Sequence, residues 1–129
     1  MKFSIVVLLL ILALNCFAIE KVRVLTKETQ TSASFTKYVD VFNFSSASVQ
    51  FNWDGAATAT ATFYASSDYD GIKTSALKYS ADALDTLVMS SSATASYVKA
   101  FTTLPYKALK IVVATSATPT VVGIDLIGK

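Results

Sequence analysis

The sequence predicts an all-β fold: an antiparallel β-sandwich or jelly roll of about eight strands, preceded by one N-terminal hydrophobic helix. Three observations carry this. Beyond residue 30 the helix-forming Glu, Gln and Leu are scarce, while Ala, Ser, Thr and Val dominate, a bias toward pleated structure. Apolar residues recur with period two rather than 3.6. Short polar or proline-bearing breaks separate the apolar segments at the spacing of a two-sheet protein. At 129 residues the chain holds one such domain.

The leader comes first. "MKFSIVVLLLILALNCFAIE" places Lys2 before an apolar run from Ile5 to Leu14, then small residues ahead of Glu20. This is the layout of a secretory signal peptide. Cleavage after Ala18 sets Cys16 and Ala18 at the two small-residue positions, giving residues 1–18 as leader and 19–129 as the domain. Two rival readings stand beside it. A lipoprotein signal would make Cys16 the first mature residue, where Asn15 fits poorly. A retained membrane anchor would use residues 3–19, at the lower edge of a spanning length. Either way the protein is expected to be exported: secreted, on the cell surface or in a virion, and membrane-held if the leader stays. Cys16 is the only cysteine, so a domain cleaved at Ala18 carries no disulfide and relies on its core.

The strands follow in order. "IEKVRVL" at 19–25 alternates Val22 and Val24 with Lys21 and Arg23, and as the strand nearest the leader it is the first candidate for exchange between subunits. "FTKYVDVFNF" at 35–44 is apolar on both faces, as a central strand would be. In "SVQFNW", Val49, Phe51 and Trp53 share one face and Ser48, Gln50 and Asn52 the other. "TATATFYAS" repeats the pattern, with Ala59, Ala61, Phe63 and Ala65 opposite Thr60, Thr62, Tyr64 and Ser66. Asp54-Gly55 between these two predicts a β-hairpin, because glycine accepts the positive φ that tight turns require. "ALDTLVM" at 83–89, "SYVKAF" at 96–101, "KALKIVVA" at 107–114 and "TVVGIDLIG" at 120–128 complete the set. The stretch "SALKYSADALDTL" also admits a short helix.

The absent chemistries are informative. There is no histidine, which removes the commonest general base and metal ligand. Without a cysteine in the domain, thiol catalysis and thiolate metal sites fall away. No nucleophile elbow, P-loop or dinucleotide fingerprint occurs. A hydrolase built on two carboxylates is the remaining enzymatic option, but Asp54, Asp68, Asp70, Asp82 and Asp85 all sit in or beside predicted turns, where aspartate serves the backbone. A net charge of +2 with scattered lysines gives no nucleic-acid footprint. The expectation is a non-enzymatic protein without cofactor or metal.

Three local features invite a binding reading. "SSDYDG" resembles a fragment of a calcium loop, yet the downstream bidentate glutamate is missing, so a turn leaving the 58–66 strand is preferred. Trp53 with Tyr64 and Tyr69 could form an aromatic platform for sugars, but Trp53 shares its face with Val49 and Phe51 and is expected in the core. What remains is a surface of Thr60, Thr62, Tyr64 and Tyr69, for a ligand or a neighbouring subunit. "NFS" at 43–45 is a glycosylation sequon at Asn43.

The order of elements resembles a family of small β-sandwich structural proteins of phage and virus virions, of the decoration, spike or appendage type. The segments that carry the resemblance read "YVDVFNFSSASVQFNWDG", "ATFYASSDYDG", "FTTLPYKALKIVVATSATPT" and "VVGIDLIGK", over about residues 30 to 129. The apolar leader departs from that pattern and suits a membrane-anchored or secreted member. The resemblance implies assembly rather than chemistry, with partners that are further copies or other structural subunits. The alternative is a secreted carbohydrate-binding module with a glycan partner at Tyr64, Tyr69 and the adjacent aspartates.

Overall fold

A computed structural model describes residues 19–30, 33–54, 58–68, 77–90, 95–116 and 120–129. The expected N-terminal helix and leader, residues 1–18, lie outside the described residues, as does Tyr69. Among the described residues no helix is long and apolar enough to cross a membrane.

The described residues are all-β, with eight strands: β1 (Glu20–Gln30), β2 (Ser34–Asp40), β3 (Ala47–Asp54), β4 (Thr58–Ser66), β5 (Asp85–Ser90), β6 (Ala95–Phe101), β7 (Ala108–Thr115) and β8 (Thr120–Gly128). They form two four-stranded antiparallel sheets, ordered β1-β8-β3-β6 and β2-β7-β4-β5. The sheets face each other as a sandwich. The side chains that alternate inward from both sheets make one core, with Phe51, Trp53, Phe63, Met89, Ile111 and Ile124 fully buried. Across the gap the Phe51 and Phe63 rings meet edge-on at 6.2 Å, and Phe63 meets Phe101 at 5.2 Å. Such edge-to-face contacts add to the burial of large apolar surface. Trp53 is space-filling: its indole N–H is buried and finds no hydrogen-bond acceptor.

The connection between β3 and β4 corrects the hairpin expected at Asp54-Gly55. β3 pairs with β6 and β8, and β4 pairs with β5 and β7. The two strands therefore lie in opposite sheets, and the chain crosses the core edge between them. Each buries its apolar face against the other sheet, and both lateral edges of each strand are already filled, which leaves no room for a β3–β4 ladder.

β2 also differs. It ends at Asp40 and lies at a sheet edge, whereas a central strand over 35–44 was expected. The Asp40 carboxylate accepts the Phe42 N–H at 2.8 Å, and Phe44 N–H donates to the Val41 carbonyl at 3.0 Å. This local bonding competes with the ladder and turns the chain. The apolar look of 41–44 comes from Val41 and Phe44 packing in the turn, not from a two-sided strand. No helix occupies 77–90; that segment runs irregularly into β5.

Edge strand β1 is bulged twice, between Arg23 and Leu25 and between Leu25 and Glu28. The first bulge turns Leu25 into the core, leaving Val24 half-buried. The second brings the Lys27 backbone over Gly123, where a Cβ would lie only 3.4 Å from the Lys27 Cα and Cβ. At the C-terminal end, Phe44 lies directly on Gly128, and a Cβ there would fall 2.3 Å from the ring.

Two substitutions test this packing. Phe63→Ala removes the ring shared by both sheets and should cost about 3–5 kcal/mol in urea unfolding. Gly128→Ala forces Phe44 aside and should cost about 1–3 kcal/mol. Thr60→Ala, on the outer face, should stay within about 0.5 kcal/mol. A Phe63→Ala protein as stable as the parent would contradict the shared core.

Candidate functional site

The outward-facing side chains of the second sheet fall into rows that the register defines. Ser34, Ala114, Thr60 and Val88 form one row across all four strands, and Thr36, Val112, Thr62 and Thr86 form the next. A third row places Tyr38, Lys110 and Tyr64 side by side on β2, β7 and β4. Lys110 is the only charged side chain in these three rows. The structure thus brings Thr60, Thr62 and Tyr64 together as one stripe on β4, while Tyr69 lies outside the described residues.

The tyrosine row is extended by a residue far away in sequence. Residues 77–84 return over the end of β4, where Ser80 N–H donates to the Ala65 carbonyl at 2.9 Å, and this sets Tyr79 above the row. Lys110 Nζ lies 4.2 Å from the Tyr64 ring centroid and 5.5 Å from that of Tyr79, and the Tyr38 and Tyr79 rings are 5.6 Å apart. Partial burial, with Tyr38 and Asp40 nearby, pushes the Tyr79 hydroxyl up to about 12, since all three disfavour a phenolate. Just beyond, Lys107 Nζ lies 4.3 Å from the Phe42 ring centroid.

Sequence reasoning missed Tyr38, Tyr79 and Lys110. Tyr38 was legible in the alternation of "FTKYV", once that strand is recognised as one-sided. Tyr79 had no such signal, because its position depends on where an irregular segment folds back.

The outer face of the first sheet is different in kind. Asp125 is buried on it, accepts from Arg23 Nε and pairs with Lys21 at 3.1 Å, so the charges there are satisfied internally. Gln50 Nε2 donates to Ser96 Oγ at 2.9 Å. A shallow 370 Å³ hollow lies beside this network, over Gly123 and between Arg23, Lys27 and Asn52. A second, open depression of 580 Å³ is lined by Asp68, Lys78, Tyr79, Asp82 and Tyr106. Among the described residues no group of three or more His, Cys, Asp or Glu is placed to hold a metal ion.

Of the "SSDYDG" turn the described part is short. Ser66 Oγ accepts the Asp68 N–H at 3.2 Å, a serine turn that ends β4; Asp70 and Gly71 lie outside the described residues. Asn43 of the sequon is exposed in the turn after β2.

The sheet edges are guarded. β1 carries bulges and the basic Lys21, Arg23 and Lys27. Register places Lys37 on the inward side of β2, and Lys99 and Asp85 on the inward sides of β6 and β5, where the last two pair across the mouth of the sandwich. Inward charges and bulges are the devices that keep an edge from templating a further strand. The exchange role considered for β1 is therefore disfavoured, and attention moves from edges to faces.

Two pH responses follow. The hydrogen bond from Lys99, with another from the Thr86 N–H, holds the Asp85 carboxyl below its ordinary value of 3.8. A lowered acid stabilises the fold above its unfolded pKa and loses that contribution as pH falls through the folded one. The stability difference between the parent and Asp85→Asn should thus be constant near neutrality and shrink below about pH 4, in urea melts across pH. For Tyr79 the sign reverses: its contribution is complete below pH 10 and disappears as pH rises toward 12. Ultraviolet titration should show one late phenol, absent in Tyr79→Phe; tyrosines that all titrate together would contradict the cluster.

No protein-family model matches this sequence, and no curated protein matches it. The functional reading accordingly rests on geometry and chemistry.

Proposed function

We propose that the protein is a non-enzymatic structural component of a virion or an extracellular surface, which works by packing against further copies of itself. The observation that carries this is the outer face of the second sheet. Two adjacent rows of it, Ser34–Ala114–Thr60–Val88 and Thr36–Val112–Thr62–Thr86, hold no charged side chain, whereas an ordinary protein surface is about a quarter to a third charged. Loss of charge is the compositional mark of an interface centre. Val88, 64% exposed, continues the same face to its edge.

The occupant we assign to this face is a second copy. A two-fold axis between the Ser34–Ala114–Thr60–Val88 and Thr36–Val112–Thr62–Thr86 rows sets the two Lys110 side chains beyond opposite ends of the contact, so like charges do not meet. The methyl groups of threonine and valine then pack while the threonine hydroxyls bond across the interface.

We read the strand connection as that of a jelly roll. β1 neighbours β8, β2 neighbours β7, β3 neighbours β6 and β4 neighbours β5, as when one long hairpin is rolled into two sheets. This agrees with the resemblance to virion sandwich proteins. Export through the leader, with membrane attachment if residues 3–19 are retained, belongs to the same proposal.

The test is sedimentation of protein purified from cells expressing the full-length chain. Oligomers are expected at micromolar concentration, and Thr62→Arg, at the centre of the face, should convert them to monomers that still unfold in one cooperative transition. A parent that stays monomeric at every concentration would overturn the proposal.

A further inference from the structure

Lys107 and Lys110 are held differently from the ion-paired cations of this protein. Lys21, Arg23, Lys27 and Lys99 all pair with carboxylates. Lys107 and Lys110 instead rest on aromatic rings: Lys107 on Phe42, and Lys110 between Tyr64 and Tyr79. Among the described residues no carboxylate lies within ion-pair distance of either. The ring faces hold each ammonium in place and supply part of its solvation, yet its charge is left without a counter-ion. The two cations share one end of the sandwich. Val41 N–H donates to the Lys107 carbonyl at 2.9 Å, just beyond the Asp40↔Ala108 pair, while Tyr38 pairs with Lys110 two positions earlier. Residues 107 and 110 are about 10 Å apart along the backbone, and Lys107, just before β7, reaches the ring of Phe42 in the turn after β2.

The same end gathers aromatic surface. Tyr38 is 38% exposed and Phe42 47% exposed, both large for aromatic side chains in a sandwich that otherwise buries its rings. The Asp40 carboxylate stands between them on the chain, taking the Phe42 N–H through one oxygen. Exposed rings stack on the apolar faces of sugars, and tyrosine hydroxyls and a carboxylate bond to sugar hydroxyls. Spaced ammonium groups answer anionic substituents along a polymer through charge-assisted hydrogen bonds.

We propose that this end of the molecule, comprising Tyr38, Phe42, Tyr64, Tyr79, Lys107 and Lys110, binds an acidic polysaccharide through the carboxylates of its uronic-acid units. The site goes beyond self-assembly and does not depend on it. It is set at the end of the second sheet, past the threonine rows that meet the second copy. A nucleic acid fits it less well, because its phosphates call for a continuous basic track, and the remaining lysines are scattered.

The test uses polygalacturonate as the probe, with the full-length protein in affinity electrophoresis and calorimetry. Its fully methyl-esterified form is the matched neutral control, and a single-stranded oligonucleotide is the matched polyanion. Polygalacturonate should retard the protein and the ester should not, with binding weakened by added salt. Lys107→Gln and Lys110→Gln should each reduce affinity about tenfold, the loss expected of one charge-assisted contact. Both changes are at the surface, and unchanged thermal melting would show that the fold is intact. Tyr38→Ala should reduce affinity by a similar factor while leaving the salt dependence unchanged. Equal binding of the ester, equal or stronger binding of the oligonucleotide, or full affinity in both lysine variants would each overturn the proposal. Oligomer formation is measured separately on the Thr62→Arg protein. That protein should still bind polygalacturonate, so failure of the subunit reading and failure of the glycan reading are distinguishable.

Discussion

The edge-on stack of Phe51, Phe63 and Phe101 is the contact on which the rest of the structure depends. Phe51 and Phe101 come from adjacent strands of one sheet, and Phe63 from a central strand of the other. One ring therefore fixes the separation of the sheets and their lateral alignment. Around it Val, Ile, Leu, Met, Ala and Trp side chains fill the buried core, and the inward charges Lys37, Lys99 and Asp85 are confined to edge strands. Close-packed interiors accept little change in volume, and the domain has no disulfide to share the load. Rigid sheets in turn make the outward rows regular, because alternation along a strand transmits inner order to the outer face.

Polar chemistry is distributed with the same economy. The first sheet keeps its buried carboxylate, Asp125, between Arg23 and Lys21 on the neighbouring edge strand, so that β1 is tied to β8 through charge as well as backbone bonds. The Lys99–Asp85 pair ties β6 to β5 at the mouth between the sheets. A surface pair of this kind contributes little to stability, but Lys99 and Asp85 occupy inward positions at strand edges and discourage further pairing. The protein thereby suppresses the indiscriminate edge association to which small β-sandwiches are prone, while one broad face is left almost uncharged. That contrast between guarded edges and a bland face is the physical basis for reading specific assembly rather than catalysis.

The tyrosine–lysine end shows how a site arises from elements that are remote in sequence. Tyr38, Tyr64 and Lys110 are brought into one row by strand register alone. Tyr79 arrives from a segment held down by the Ser80 bond to Ala65, and its raised hydroxyl reflects the neighbours it meets there. Lysines held over rings lose conformational freedom in advance, which lowers the entropy cost of meeting an anionic partner.

Much of the fold was legible in the residues themselves. Period-two alternation in "SVQFNW" and "TATATFYAS" sets Val49, Phe51, Trp53, Ala61 and Phe63 inside and Thr60, Thr62 and Tyr64 outside, because a pleated strand has only two faces. Local pattern does not say which strand lies beside which. Asp54-Gly55 allows a sharp reversal but does not choose between a hairpin and a crossing to the opposite sheet. That choice was made by β6, β8, β5 and β7, which fill the edges of β3 and β4 from distant parts of the chain. For the same reason the sequence determined that Tyr64 faces outward, and only the tertiary structure decided its company: Lys110 from a neighbouring strand, Tyr79 from a returning segment and Tyr38 from the far edge. Side-chain direction is a property of one strand, whereas neighbourhood is a property of the whole sheet.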